Sequence, residues 1–231
     1  MPRGARFTTE TGVEIRTAEP ADLDALTALL TEAFRRDPLW RWAFPEEEGI
    51  AAWWRFYVGS ALRYPCIWVA GDFAAAAVWI PPGGVELADD EEQRVEPLLR
   101  ELVGPRTSEV TELLERFEAS HPRDAPHYYL SLLGTADRHR GRGLGMALLV
   151  ENLRRIDGEG MPAYLESSNP ANDQRYERIG FRWTGEFKTP EGRSGGLRRT
   201  TGRPHQLAAR VHAATRPPPA EHRFSREGAV S

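Results

Sequence analysis

The densest concentration of chemically suggestive residues is the run Arg140-Gly141-Arg142-Gly143-Leu144-Gly145-Met146. It follows an apolar, aromatic stretch, Tyr128 to Thr135, and leads at once into an amphipathic segment with Leu144, Leu148, Leu149, Leu153 and Ile156 at helical spacing. No Ser, Thr, Asp or Asn stands at the start of that segment, so its first backbone N–H groups are left for an external partner. Glycines allow close approach of a ligand, and a helix N-terminus favours an anion. The chemistry implied is phosphate or pyrophosphate binding, with Arg140 and Arg142 either adding charge or facing solvent. A dinucleotide fingerprint is a poor fit, because Met146 occupies the place of its third glycine. A nucleotide P-loop needs Gly-Lys-Ser/Thr, and Lys188 is the only lysine in the chain.

Other chemistries are thinly represented. One cysteine, Cys66, excludes a disulfide framework and Cys-rich zinc sites. The histidines at 121, 127, 139, 205, 212 and 222 have no metal-ligand spacing, and no Gly-x-Ser-x-Gly elbow exists. Glu166 lies in the apolar run Ala163-Tyr-Leu-Glu, where burial would raise its pKa to a value useful for a base. The alternative is an edge position paired with an arginine. Trp53, Phe56, Tyr57, Trp79, Tyr128 and Tyr129 can line an apolar pocket for an amine, or serve as plain core.

The elements that must position these residues read as a mixed α/β arrangement around one sheet. Strands are expected at Val13–Arg16, Cys66–Ala70, Phe73–Ile80, Tyr128–Thr135, Ala163–Ser167 and Phe181–Lys188. Helices are expected from Pro20 to Arg35, Glu46 to Arg63, 86–103, 107–119, Gly143 to Asp157 and Ala171 to Ile179. Asp37-Pro38 stops the first helix, because the residue before proline disfavours the α region, and Leu39–Phe44 reads as irregular.

In this order the motifs resemble the GNAT acetyltransferase superfamily. Arg140-x-x-Gly143-x-Gly145 fits its cofactor signature, Arg/Gln-x-x-Gly-x-Gly/Ala. Asn172-Asp-Gln-Arg-Tyr176-Glu-Arg-Ile-Gly180-Phe181 fits its Asn-x-x-x-Tyr-x-x-x-Gly-Phe ending. Ile67–Ala70, Ala75–Trp79, Pro162–Glu166 and Pro190-Glu-Gly192 are similar to the puromycin N-acetyltransferase branch. The likeness spans roughly residues 13–192. It implies a mixed sheet splayed between its fourth and fifth strands, with acetyl-CoA in the splay. It further implies that Leu133 and Thr135 pair with the pantetheine arm and that a backbone N–H of Leu133-Gly134-Thr135 meets the thioester oxygen. Tyr176 would be the general acid for the departing thiol. Asn169 and Asn172 are cofactor or helix-cap candidates. The acceptor implied is a small-molecule amine; a protein or peptide amine, or a silent CoA-binding protein, are the alternatives.

The 231 residues are 40% hydrophobic and 28% charged, with a formal net charge of −4, which argues against nucleic acid as the main partner. No apolar run approaches the ~20 residues of a membrane span and no secretory leader is evident, so a cytoplasmic monomer or homodimer is expected. Composition breaks at 191. Residues 191–231 hold eight Arg against three acids and one aromatic, Phe224. The expectation is a domain over 1–190 and a disordered tail over 191–231, as an out-of-register reading frame would give. Gly192-Arg-Ser-Gly-Gly-Leu-Arg-Arg-Thr200 is poor strand material, so the family's last strand should be missing.

Overall fold

The computed structural model describes residues 4–8, 12–190 and 192–200. One eight-stranded sheet runs in the order β1-β2-β3-β4-β5-β6-β8-β7. The strands are β1 (Arg6–Thr8), β2 (Glu14–Thr17), β3 (Ile67–Ala70), β4 (Ala75–Ile80), β5 (Tyr128–Thr135), β6 (Ala163–Ser167), β7 (Arg182–Thr189) and β8 (Gly192–Arg199). Only β5 and β6 are parallel; every other pairing is antiparallel. This is the mixed α/β sheet expected.

Helices cover both faces. On one lie α1 (Leu23–Phe34), α2 (Pro38–Ala43), α3 (Glu47–Ala61), α4 (Asp89–Val103) and α5 (Thr107–Ser120). Their core joins Leu26, Leu30, Trp54 and Val58 to Val69, Ala76, Val78 and Leu132 of the sheet. On the other lies α6 (Leu144–Gly158), whose Leu148, Leu149, Leu153 and Ile156 pack on Trp68, Trp79, Tyr128 and Leu165. The short α7 (Asp173–Arg178) follows β6.

Residues 39–44 are mostly helix rather than irregular. Asp37 caps α2, accepting from the Leu39 and Trp40 amides at 3.0 and 3.2 Å, and Pro38 takes the first helical position. The Asp-Pro pair that ends α1 therefore also starts α2, since proline has no N–H to leave unsatisfied there.

The larger correction concerns the C-terminal end. Gly192–Arg199 forms β8 between β6 and β7, so the sheet continues past 190. Three features overcome its composition. A Cβ at Gly195 would collide with the Trp183 ring, and one at Gly196 with the Tyr164 ring, so neighbouring aromatics cover the glycines. Leu197 is fully buried. Arg199 is only 4% exposed; it forms two 2.7 Å bonds to Asp157 of α6 and donates to the Ile179 carbonyl at 3.2 Å. The remainder of the expected tail, 201–231, lies outside the described residues.

Candidate functional site

β5 and β6 pair over three positions, Tyr128–Leu130 with Ala163–Leu165, and then part. β5 continues to Thr135 against β4, whereas Glu166 and Ser167 pair with Gly196 and Gly195 of β8. A wedge opens between them, at the mouth of which sits the N-terminus of α6.

A bulge sets the side-chain parity along β5. Val78 faces Leu132 and Trp79 faces Leu130, leaving Ser131 as the extra residue, its hydroxyl 3.3 Å from the Val78 carbonyl. Before the bulge, Tyr128 faces α6 and Tyr129 faces the α3 and α5 layer. After it, Leu133 and Thr135 face α6, and Gly134 lies under Leu29, Leu30 and Ala33 of α1. Two expected pocket residues are therefore on the wrong face. Trp79 donates its indole N–H to Asn152 at 2.9 Å, and the Tyr128 hydroxyl donates to Glu159 at 2.7 Å, both beneath α6. Alternation along β4 and β5 places them there.

The glycine loop has the geometry of an open anion cradle. Gly141 and Gly143 sit at φ 77° and 76°, the left-handed region that side chains avoid. Gly143 occupies the cap position of α6, and among the described residues no side chain caps the first amides. A Cβ on Gly145 would lie 2.5 Å from Thr135 Oγ1, so only glycine lets α6 approach β5 this closely. Arg140 is engaged within the protein. It donates to the Ala33 carbonyl at 2.6 Å and pairs with Asp137 at 2.9 Å, pinning the loop to α1. Arg142 is exposed; Leu144 and Met146, in the first turn of α6, pack against the core beneath that helix.

On the opposite side of the wedge is a cavity of about 1220 Å³. It brings together Trp53, Tyr57, Tyr129, Leu133, Glu166, Asn169, Asn172 and Tyr176 from the sequence expectations. Asn169 caps the turn before α7, accepting from the Ala171 amide at 3.1 Å, and Asn172 accepts from Arg175 at 3.0 Å. The Tyr176 hydroxyl makes no hydrogen bond among the described residues, and burial pushes its pKa up to about 12.

Among the described residues Glu166 does not pair with an arginine. Its side chain is 3% exposed, accepts from Tyr129 at 2.8 Å and Tyr164 at 3.1 Å, and burial pushes its pKa up to about 8. Four further residues were not legible beforehand. Glu86, in the loop after β4, lines the same cavity as Tyr57 and Tyr129; burial pushes its pKa up to about 7. His121 Nδ1 lies 3.9 Å from Glu166 Oε1, and burial lowers its pKa to about 4. His127 Nδ1 lies 2.9 Å from the Ala125 carbonyl, which only accepts, so that nitrogen carries the hydrogen. Its Nε2 then accepts from His121 Nε2–H at 3.0 Å, which leaves His121 Nδ1 as an acceptor facing Glu166. Asp37 reaches the cavity too, accepting from Ser168 at 3.0 Å. Among the described residues no group of three or more His, Cys, Asp or Glu is placed to hold a metal ion. No described helix is long and apolar enough to cross a membrane.

The splayed sheet, the glycine cradle and the helix behind it define the fold of the GNAT acetyltransferases. The chain is similar to "histone acetyltransferase HPA2 and related acetyltransferase" from Corynebacterium glutamicum, with 24% identity and a TM-score of 0.60 over 82% of this chain and 97% of that one. It is also similar to arylalkylamine N-acetyltransferase 2 from Aedes aegypti (14% identity, TM-score 0.63, 82% and 99% covered). A GNAT-family acetyltransferase from Streptococcus agalactiae follows at 16% identity and a TM-score of 0.52, with 86% and 100% covered. No protein-family model matches the chain.

Proposed function

We propose that the protein is an acetyl-CoA-dependent N-acetyltransferase acting on the primary amine of a small molecule, by direct transfer in a ternary complex. The observation that carries this reading is the continuity of the β5/β6 wedge with a cavity holding Tyr176 at the wedge and Glu166 among aromatic walls. Similarity in fold to an arylalkylamine N-acetyltransferase, and the sequence likeness to the puromycin N-acetyltransferase branch, support a small acceptor. Dependence on acetyl-CoA is in keeping with a cytoplasmic location.

The residues present fit the cofactor. The uncapped amides of α6, with Gly141, Gly143 and Gly145, would hold the pyrophosphate, and the free edge of β5 at Leu133–Thr135 would hold the pantetheine arm as an added strand does. When bound, acetyl-CoA supplies an acyl group on a thioester and a thiol leaving group. Glu166 takes a proton from the incoming ammonium, since only the neutral amine is nucleophilic. A carboxylate with pKa near 8 is matched to that task at neutral to mildly alkaline pH. Glu166 then holds the proton beside His121 Nδ1, an acceptor in the tautomer derived above. Tyr176 keeps its hydroxyl proton at neutral pH and donates it where the thiol departs.

Thermal unfolding with and without acetyl-CoA tests the reading. Ligand at 100 times its Kd adds ~2.7 kcal/mol, roughly 6 °C for a folded unit of this size. Thiol release would then be followed with a panel of small amines. Absence of a shift at saturating acetyl-CoA would overturn the assignment.

A further inference from the structure

Tyr176 sits on α7, which has six residues and is too short to hold its own position by helix formation. Its place at the wedge has to come from its ends. The C-terminal end is set in the core. Ile179 and Phe181 are buried, their amides donate to the Tyr176 carbonyl at 3.1 and 3.2 Å, and the Phe181 ring meets the Tyr176 ring edge-on at 6.2 Å. The N-terminal end is held by two consecutive serines where β6 runs out. Ser167 Oγ donates at 2.7 Å to Asp173 Oδ1, on the first residue of α7. Ser168 Oγ donates at 3.0 Å to Oδ2 of Asp37, 131 positions earlier.

The two bonds differ in what they join. Ser167 and Asp173 belong to the same arm of the fork, the one that β6 forms with β8. Asp37 belongs to the other arm. It follows α1, whose Leu29, Leu30 and Ala33 lie over Gly134 of β5. Its Oδ1 alone caps α2, which leaves Oδ2 for Ser168. α2 is a firm anchor, with Leu39 and Ala43 fully buried and the Trp40 ring edge-on to Trp54 at 4.7 Å. β5 and β6 pair no further than Leu130 and Leu165, so the Asp37–Ser168 bond ties the arms together past the point where the ladder stops. Asp37, Ser168 and Tyr176 all line the one cavity.

We propose that Asp37 and Ser168 are positioning residues: their hydrogen bond fixes the β6–α7 connection against α2, and with it the distance of the Tyr176 hydroxyl from a leaving group held along β5. This rests on the acetyltransferase reading for what Tyr176 does, though not for what holds it. Neither side chain exchanges a proton with substrate in this role. Placement matters because a displacement of about 1 Å at a reacting centre can cost about 10²-fold in rate.

The test combines hydrogen exchange, read by NMR, with a double-mutant cycle on the full chain. Ser168→Ala removes the donor and Ser168→Thr keeps it. Asp37→Ser keeps a capping oxygen for α2 and gives up the oxygen that meets Ser168. In Ser168→Ala and Asp37→Ser the amides of Ile179, Gly180 and Phe181 exchange at least about fivefold faster than in wild type, while those of α6 do not change; Ser168→Thr matches wild type. With an amine that wild type accepts, Ser168→Ala lowers kcat for thiol release by about 10–100-fold and leaves the amine KM within about threefold. In a Tyr176→Phe background the same substitution lowers kcat by less than about twofold, since the group it places is already gone. Unchanged exchange in Ser168→Ala would overturn the tie. An equal fall in both backgrounds, or no fall with Tyr176 present, would overturn its role in placing that hydroxyl. Because exchange is read without turnover, faster exchange in Ser168→Ala, with no thiol release by wild type from any amine, would sink the enzymatic reading and leave the tie standing.

Discussion

Removal of the Arg199 guanidinium is the sharpest probe of how this fold closes. Arg199 ends β8 and Asp157 lies in the last turn of α6; their side chains are 4% and 1% exposed. The pair is bidentate, with both bonds at 2.7 Å, and the remaining Nε donates to Ile179. An exposed ion pair contributes ~0–1 kcal/mol, whereas stripping one partner from a buried pair costs about 3–5 kcal/mol, because the other charge is left in a poorly solvating site. A folded unit of about 190 residues has an unfolding entropy of roughly 0.4 kcal/mol/K, so Arg199→Ala should lower Tm by roughly 7–12 °C. Asp157→Leu combined with Arg199→Leu removes both charges and should lose less than half as much, since an apolar pair of similar bulk is often neutral. Circular dichroism melts of the wild type and both variants, without ligand, decide the matter. A fall of less than 2 °C for Arg199→Ala would mean that β8 is not integral to the sheet. Equal losses in both variants would mean that the cost is packing rather than the loss of the ion pair.

Gly145→Ala should weaken acetyl-CoA binding by at least tenfold in a thermal-shift titration, because its Cβ meets Thr135 Oγ1 at 2.5 Å. Adding Thr135→Ala removes the colliding atom, leaving Thr135 Cβ at an ordinary 3.9 Å, and should restore most of the affinity. Tyr176→Phe should reduce kcat by about 10²–10⁴-fold, the usual range for a general acid, with the acetyl-CoA thermal shift retained. The rate profile should rise with pH through about 8 as Glu166 loses its proton, and Glu166→Gln should abolish that limb. For stability the sign is opposite. Glu86 and Glu166 have folded-state pKa values near 7 and 8, above their ordinary 4.5, so the folded state binds more protons than the unfolded one between those limits. Wild-type Tm should therefore decline from pH 5 to pH 8 on account of these two groups, and the Glu86→Gln/Glu166→Gln variant should decline less.

Most of the scaffold was legible because each element carries its own local signal. β5 and β6 were placed at their observed bounds, and α6 within a residue, from apolar runs and helical periodicity. The glycine cradle was legible for the same reason: positive φ and close approach are demands that one residue type meets. β8 was not legible, because its support comes from elsewhere in the chain. Trp183 and Tyr164 cover its glycines, and Asp157, 42 positions earlier, neutralises its arginine. Composition is a statement about a segment's own apolar content, whereas a strand between two partners draws on theirs.

The same reasoning separates the two halves of the site. The proposed cofactor half is contiguous in sequence, from Leu133 to Gly145, with Tyr176 on the next α-β unit, so the family resemblance carried by those motifs implied it. The proposed acceptor half is assembled from Tyr57 on α3, Glu86 in the loop after β4, His121 at the end of α5, Tyr129 on β5 and Glu166 on β6. No two of these residues fall within one helical turn, and nothing local distinguishes Glu86 from the chain's other acids. Of the aromatics that could line a pocket or serve as plain core, Trp79 and Tyr128 are core, because one bulge at Ser131 and strict alternation decide which side chain enters the cavity. Substitution at Glu86 or Tyr57 alters the lining of this cavity while leaving the α6 cradle and the β5/β6 fork untouched. On the proposed function, amine binding and the acetyl-CoA thermal shift should therefore respond to different substitutions.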